Sequence, residues 1–379
     1  MRRAALTAIL VLGVPRFGAA QTNCPDSAAM IREIGSDVEI AYAAWKKAPT
    51  GPVPAACLYS AVARAPLMQS DSVILKALEL SAQALGRSPD NPEILTARLV
   101  MLSRARRYAE VAPTMDELFV ARPTATTQEM HRLTIGAVMQ LHDTAAILSR
   151  LENAATRFGS SPTFAPEFAV WRQIPRLRAL IDTVHRIMKK DPTLVAGLVN
   201  LSSIYGNLDQ PDSAIHYAKR ALRAGNSRDA VAKALESLIG VKLRRAQLIG
   251  VPELWVATLP VALAIDSTLS TPASKYLIAR TLSEIVADET RLAQYISSSL
   301  DSGDPAGYAR VQTAVGGNTY LRVMSCSRLT ELNAMIVTAR AKLAEGGDHF
   351  AVETIPRLRG GLAAMEASLA QLKPRCTGA

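Results

Sequence analysis

This 379-residue sequence is poor in the features that usually announce a β-rich fold or a catalytic site. Aromatic residues make up only 5% of it. β-Sandwich and barrel strands draw heavily on aromatic and β-branched side chains, so that scarcity argues against an all-β chain. No segment alternates with period two between turn signals. There is no H-E-x-x-H, no G-x-S-x-G, no Walker loop and no dinucleotide fingerprint after a strand. The five histidines, His131, His142, His185, His216 and His349, stand singly. No two of them share the i, i+4 spacing of a helical metal pair, so neither a metal site nor a cofactor is expected. Gly316-Gly317-Asn318 has the look of a phosphate loop, but without a preceding strand it reads as a helix N-terminal turn. Basic residues gather only in short pairs, Arg106–Arg107, Lys189–Lys190 and Arg244–Arg245. Few aromatics stand beside them to stack on bases, so nucleic acid is not an expected partner.

What is present begins at the N-terminus. Arg2 and Arg3 precede an apolar run, Ala4–Val14, then Pro15 and the small residues Gly18-Ala19-Ala20. That is the order of a secretory signal peptide cleaved after about Ala20. As a helix the run spans about 16 Å, too short for the hydrocarbon core; an uncleaved anchor is the alternative. No later stretch reaches the length of a membrane span, so none is expected in the mature chain. Loss of Arg2, Arg3 and Arg16 with the leader takes the formal charge from +10 to +7. The chain is therefore expected to be exported, to a periplasmic or extracellular location. Its four cysteines, Cys24, Cys57, Cys326 and Cys376, suit an oxidising compartment. Of the three possible pairings, Cys24–Cys57 with Cys326–Cys376 closes two short loops and is the expected one. Four free, buried thiols are the alternative.

Apolar residues reach 49%, and much of that share is Ala and Leu, which suits close-packed helices. Helical spacing recurs along the chain. It covers 24–47, 128–158, 173–190, Val231–Leu248, Leu254–Ile265, Ser274–Ala287 and Thr290–Ser299. Two longer helices are expected at about 318–344 and 349–372. Pro89 and Pro123 are 34 residues apart, and so are Pro192 and Asn226. Leu95, Leu102 and Tyr108 fit a first helix and its turn, followed by Val111 and Leu118. Leu198, Leu201 and Tyr205 line another first helix, and Ser213–Leu222, rich in alanine, its second. Short side chains there let helix axes approach.

The period and these residues resemble the tetratricopeptide (TPR) family. The match covers about 75–226, with 195–226 the strongest unit. Leu198 and Ser202 stand where the family has Trp and Gly, and Asp209 where a turn Gly is expected. Pro162 and Pro166 loosen the register upstream. The resemblance implies an all-α fold: a right-handed superhelical stack of helical hairpins, a TPR-like α-solenoid. The expected organisation is signal peptide 1–20, N-terminal helical cap 21–70, repeats 71–227, further hairpins 228–303 and a C-terminal hairpin cap 304–379.

The resemblance also implies scaffolding rather than catalysis, with first helices lining a concave face that binds protein. Asn200, Tyr205 and Arg228 are the candidate contact residues, although Tyr205 is also read as packing between helices. The first functional expectation is thus a non-enzymatic interaction module, an accessory subunit whose protein partners include a membrane-embedded complex of the cell envelope. The alternative is a helical glycan- or lipid-directed enzyme or binding protein built on the carboxylates around Glu284, with Asp288 and Glu289. Arg280 and Arg291 on that helix favour ordinary ion pairs instead.

Overall fold

The computed structural model describes residues 89–376 outside 160–163, 193, 226, 250–251, 301–322 and 347–353, together with scattered positions from Leu75 to Gly86. The first cysteine pair, the leader, the 24–47 helix and the Asp301–Gly307 linker lie outside the described residues. Within them the fold is all-α, with twelve α-helices and no strand. No helix among the described residues is long and apolar enough to cross a membrane. The described residues divide into two compact units, one up to Thr144 and the other from Ala145 to Cys376.

In the first unit, α1 (Pro92–Arg104), α2 (Tyr108–Ala121) and α3 (Gln128–Gln140) pack together. Asn91 begins α1, its Oδ1 accepting the amide of Ile94 at 3.1 Å, with Pro92 in the first turn where no amide partner is needed. Leu95, Leu99 and Leu102 of α1 and Val111, Met115 and Leu118 of α2 are all buried, and the two helices pack on each other. The leucines and valine picked out by the repeat spacing are therefore core residues.

The second unit continues with α4 (Thr144–Arg157), α5 (Phe164–Met188), α6 (Val195–Asn207), α7 (Pro211–Arg223) and α8 (Arg228–Ile249). Here α6 packs on both α7 and α8. Ala214, Ala218 and Ala221 of α7 are fully buried against it. Ser202, in place of the expected glycine, is buried too, and its hydroxyl donates to the Ala214 carbonyl at 2.9 Å. Its polar atom thus replaces a void with a satisfied cross-helix bond. Across the next interface, Ser203 Oγ and Ser237 Oγ lie 3.1 Å apart, 34 residues separated in sequence. Equivalent positions of successive first helices touch, which is the physical content of the 34-residue period.

Three inter-helix turns share one conformation. Arg106, His142 and Asp209 each stand two residues past the end of α1, α3 and α6, with φ of 57°, 55° and 57°. Left-handed backbone at the same step after three helices is a conformation that glycine adopts without strain.

The second unit ends with α9 (Pro252–Thr268), α10 (Pro272–Leu300), α11 (Cys326–Gly346) and α12 (Thr354–Leu372). α10 opens on a reciprocal cap: Ser274 N donates to Thr271 Oγ1 at 3.1 Å and Thr271 N to Ser274 Oγ at 3.0 Å. It corrects two expectations, because Ser274–Ala287 and Thr290–Ser299 are one unbroken helix. Similarly, α5 runs through Pro166 and Pro175 as a single helix, where the sequence suggested an interruption. α10 packs on α11 and α12, and Cys326 and Cys376 are joined as expected, their Cα atoms 5.0 Å apart.

Candidate functional site

Three helices, α5, α6 and α7, bring a half-buried aromatic group together. Tyr205 of α6 stacks on Tyr217 of α7 with ring centroids 5.5 Å apart and planes within 3°. His216 meets the Tyr217 ring edge-on at 5.2 Å, and His185 of α5 approaches it at 6.1 Å. The Arg220 guanidinium lies over the same ring, 5.6 Å from its centroid, and reaches the Pro192 carbonyl at 3.2 Å. Burial pushes the Tyr205 hydroxyl pKa upward, and the neighbouring Tyr217 and Asp182 add to that rise, so the hydroxyl stays protonated and can both donate and accept. His216, Lys219, Arg220 and Arg223 recur at three- and four-residue spacing on the side of α7 away from its buried alanines. Lys189 and Lys190, just past α5, are exposed as well. The group is therefore aromatic at its centre and cationic at its edge.

Of the residues expected to contact a partner, Tyr205 belongs to this group. Asn200 is exposed on the same helix, but five residues away, or about 140° round the axis. Arg228 is exposed at the start of α8. Neither hydrogen-bonds to or stacks on the Tyr205–Tyr217 pair. The Tyr205 ring packs on Tyr217 between α6 and α7, and part of it remains accessible.

A second polar group was missed by sequence reasoning. Glu167 of α5 is 0% exposed. Its Oε1 accepts from Trp171 Nε1 at 2.9 Å and Arg245 Nε at 3.1 Å, and its Oε2 from Arg244 Nε at 3.4 Å. Arg245 also lies over the Trp171 ring at 5.2 Å and donates to Asp209 Oδ2 at 2.8 Å, while Lys242 Nζ sits 2.8 Å from Asp209 Oδ1. Two carboxylates and three cations thus tie α5, the α6–α7 turn and α8 to one another. A buried carboxylate is tolerated only with such partners. Its arginines stand 77 and 78 residues away, so nothing in local spacing could reveal it.

The acidic residues weighed as a catalytic cluster do not converge. Glu284 pairs with Arg280 at 2.5 Å, Asp288 with Arg291 at 3.7 Å, and Glu289 with Arg328 at 2.5 and 2.8 Å. Trp255 is buried with Ala246 and Ile285 as core. Another group, at the α9–α10 corner, centres on Asp266, which accepts from Ser274 Oγ at 2.7 Å, Ser270 Oγ at 3.0 Å and Lys342 Nζ at 3.2 Å. Burial raises the Asp266 pKa, but those hydrogen bonds outweigh it and hold the carboxyl below its ordinary value. Among the described residues no cluster of three or more metal-ligating side chains assembles.

No family model matches the chain, and no curated protein matches it. Among solved structures it is similar to Naa15/Naa10 bound to HypK-THB, at 12% identity and a TM-score of 0.33. That alignment covers 89% of this chain and 56% of the other. It is similar also to the human IFIT1 dimer with PPP-AAAA, at 10% identity and a TM-score of 0.31, over 88% and 78% of the two chains. The chain spans just over half the length of the first. Likeness at this level identifies neither a family nor a ligand.

Proposed function

We propose that this protein is a non-enzymatic interaction scaffold, an exported accessory subunit that holds a protein partner of a cell-envelope or membrane complex through the α6–α7 surface. The observation that carries this reading is the half-exposed Tyr205–Tyr217 stack, set among His185, His216 and Arg220 where three helices meet. Tyrosine combines a large apolar body with a polar tip, and tyrosine with arginine is the composition that anchors protein interfaces. Asn200 and Arg228, exposed on α6 and α8, are proposed as further contacts. Export is supported by the Cys326–Cys376 disulfide, a bond that persists in oxidising compartments, together with the leader-like N-terminal sequence. The acidic residues of α10 lend the enzymatic alternative no support, because each is held by an arginine.

A photo-reactive residue placed at Tyr205, at Asn200 or at Arg228 in cells tests the proposal, with Val337, exposed on α11, as a control position. The same defined protein should be captured from the three sites and not from the control. Tyr205→Ala, with the probe at Asn200, should cut the yield about tenfold or more, the scale of a central aromatic anchor. Equal capture at the control, or recovery of the chain as a free monomer in every fraction, would overturn it.

A further inference from the structure

The outward face of α5 carries a composition that the protein-partner reading does not use. Its buried side is small: Phe164, Glu167, Ile174 and Met188. Opposite them Arg172, Arg176 and Arg186 are exposed, and the turn that follows adds Lys190. At 100° per residue Arg172, Arg176 and Arg186 fall within one sector of the helix, which also holds Leu180 and Ile187, and Lys190 follows in the turn beyond its end. The two aliphatic side chains are 38% and 52% exposed. None of the four cations meets a carboxylate among the described residues. Arg172 lies over the Phe168 ring at 5.6 Å, and Arg186 donates to Thr183 Oγ1 at 3.2 Å. Six of the arginines elsewhere in this unit, at 244, 245, 280, 291, 328 and 340, are ion-paired. The exposed carboxylate of α5, Asp182, stands about 100° round from the centre of the sector.

From this juxtaposition we infer that the outer face of α5 is a contact surface for an anionic lipid bilayer. The sector from Arg172 to Arg186 runs about 21 Å along one helix, a length suited to a plane. Cations attract the anionic headgroups, each contributing about fivefold in affinity near such a surface. Leu180 and Ile187 enter the headgroup boundary between them, as the apolar residues of interfacial helices do. A duplex or single-stranded nucleic acid would use the cations but leave the two aliphatics exposed, and no aromatic ring of this sector is free to stack on bases. An acidic polypeptide would likewise leave the aliphatics without purpose. The inference does not depend on the α6–α7 reading, because the two surfaces share only Lys190, at the edge of that group and away from the Tyr205–Tyr217 stack.

The test uses the full purified chain and sedimentation with vesicles of phosphatidylcholine alone or with about 30% phosphatidylglycerol. Binding should be at least tenfold tighter to the anionic vesicles and should weaken as salt rises. Joint replacement by Arg172→Gln, Arg176→Gln, Arg186→Gln and Lys190→Gln should abolish the difference between the two vesicles. Leu180→Ser with Ile187→Ser should reduce binding several-fold at high salt while leaving the salt dependence in place. All six positions are exposed, and unchanged helicity and melting confirm that the variants fold. Equal binding to both vesicles, undiminished binding by the quadruple variant, or binding to polyglutamate or to a short DNA duplex in the absence of vesicle binding would overturn the inference. None of these outcomes touches capture at Tyr205.

Discussion

At the scale of single residues, the three left-handed turns separate backbone strain from side-chain contacts. A non-glycine residue at positive φ costs about 1 kcal/mol relative to glycine. His142, exposed at φ 55°, makes no ion pair to offset that cost. His142→Gly should therefore stabilise the fold by about 1 kcal/mol, less what the more flexible unfolded chain takes back, read as a higher urea midpoint at unchanged slope. Asp209, at φ 57°, carries the same strain, but its carboxylate holds Lys242 and Arg245. Asp209→Gly should destabilise by about 2 kcal/mol, because losing one partner of a half-buried network outweighs relief of the turn. Glu167→Gln should cost about 3 kcal/mol, since it leaves Arg244 and Arg245 without the buried charge they enclose. If Asp209→Gly stabilised the protein as His142→Gly does, the network would have to be energetically idle. The turn was legible in the sequence as a position wanting glycine. The reason it holds aspartate was not, because Lys242 and Arg245 come from a helix 33 and 36 residues further on.

Between elements, contact distance decides what the sequence can say. Leu95, Leu102, Val111, Leu118, Leu198 and Leu201 were picked out as helix positions by the resemblance to the repeat. All six are buried in the fold, because a helix repeats its buried face every three to four residues. The close approach of α6 to α8 was not legible in that way. A Cβ on Gly206 would lie 3.0 Å from the Leu238 amide nitrogen and 3.3 Å from its Cβ. Gly206→Ala must push the two helices apart, and a loss of about 1–3 kcal/mol is expected in chemical denaturation. Gly225, whose φ is 84° and whose added Cβ would meet nothing, would instead suffer from backbone strain alone. The sequence reading placed two helices along α10, Ser274–Ala287 and Thr290–Ser299, with Asp288–Glu289 between them. In the fold both charges are met, by Arg291 and by Arg328 from α11, so the helix continues. The α9–α10 corner has a pH signature. Asp266 titrates below its ordinary 3.8 in the fold. Its contribution is therefore full above that value and is lost as pH falls through the lowered folded pKa. Asp266→Asn should lower stability at neutral pH and flatten the acid limb of the denaturation midpoint against pH.

Over the whole molecule, the resemblance to stacked hairpins has an energetic consequence: each hairpin depends chiefly on its neighbours. The Cys326–Cys376 bridge closes a separation of 50 residues, which restricts the unfolded chain by about 4 kcal/mol in the loop-entropy account. Around it, Arg375 donates to Ser297 at 2.8 Å and Arg328 holds Glu289, so both ends of the α11–α12 hairpin are fastened to α10. Reduction removes the covalent restraint but leaves those contacts. Amide exchange in α10, α11 and α12 should then quicken by about a hundredfold or more, corresponding to about 3 kcal/mol of lost local stability. Exchange in α1, α2 and α3, which form the first unit, should not move. Cys326→Ser with Cys376→Ser should reproduce the result without reductant, and the contrast between the two units is what gives the experiment its force. Equal acceleration in both units would mean that the chain unfolds as one cooperative body. Nearest-neighbour stacking would then fail as the description of its stability, whatever the sequence spacing suggests.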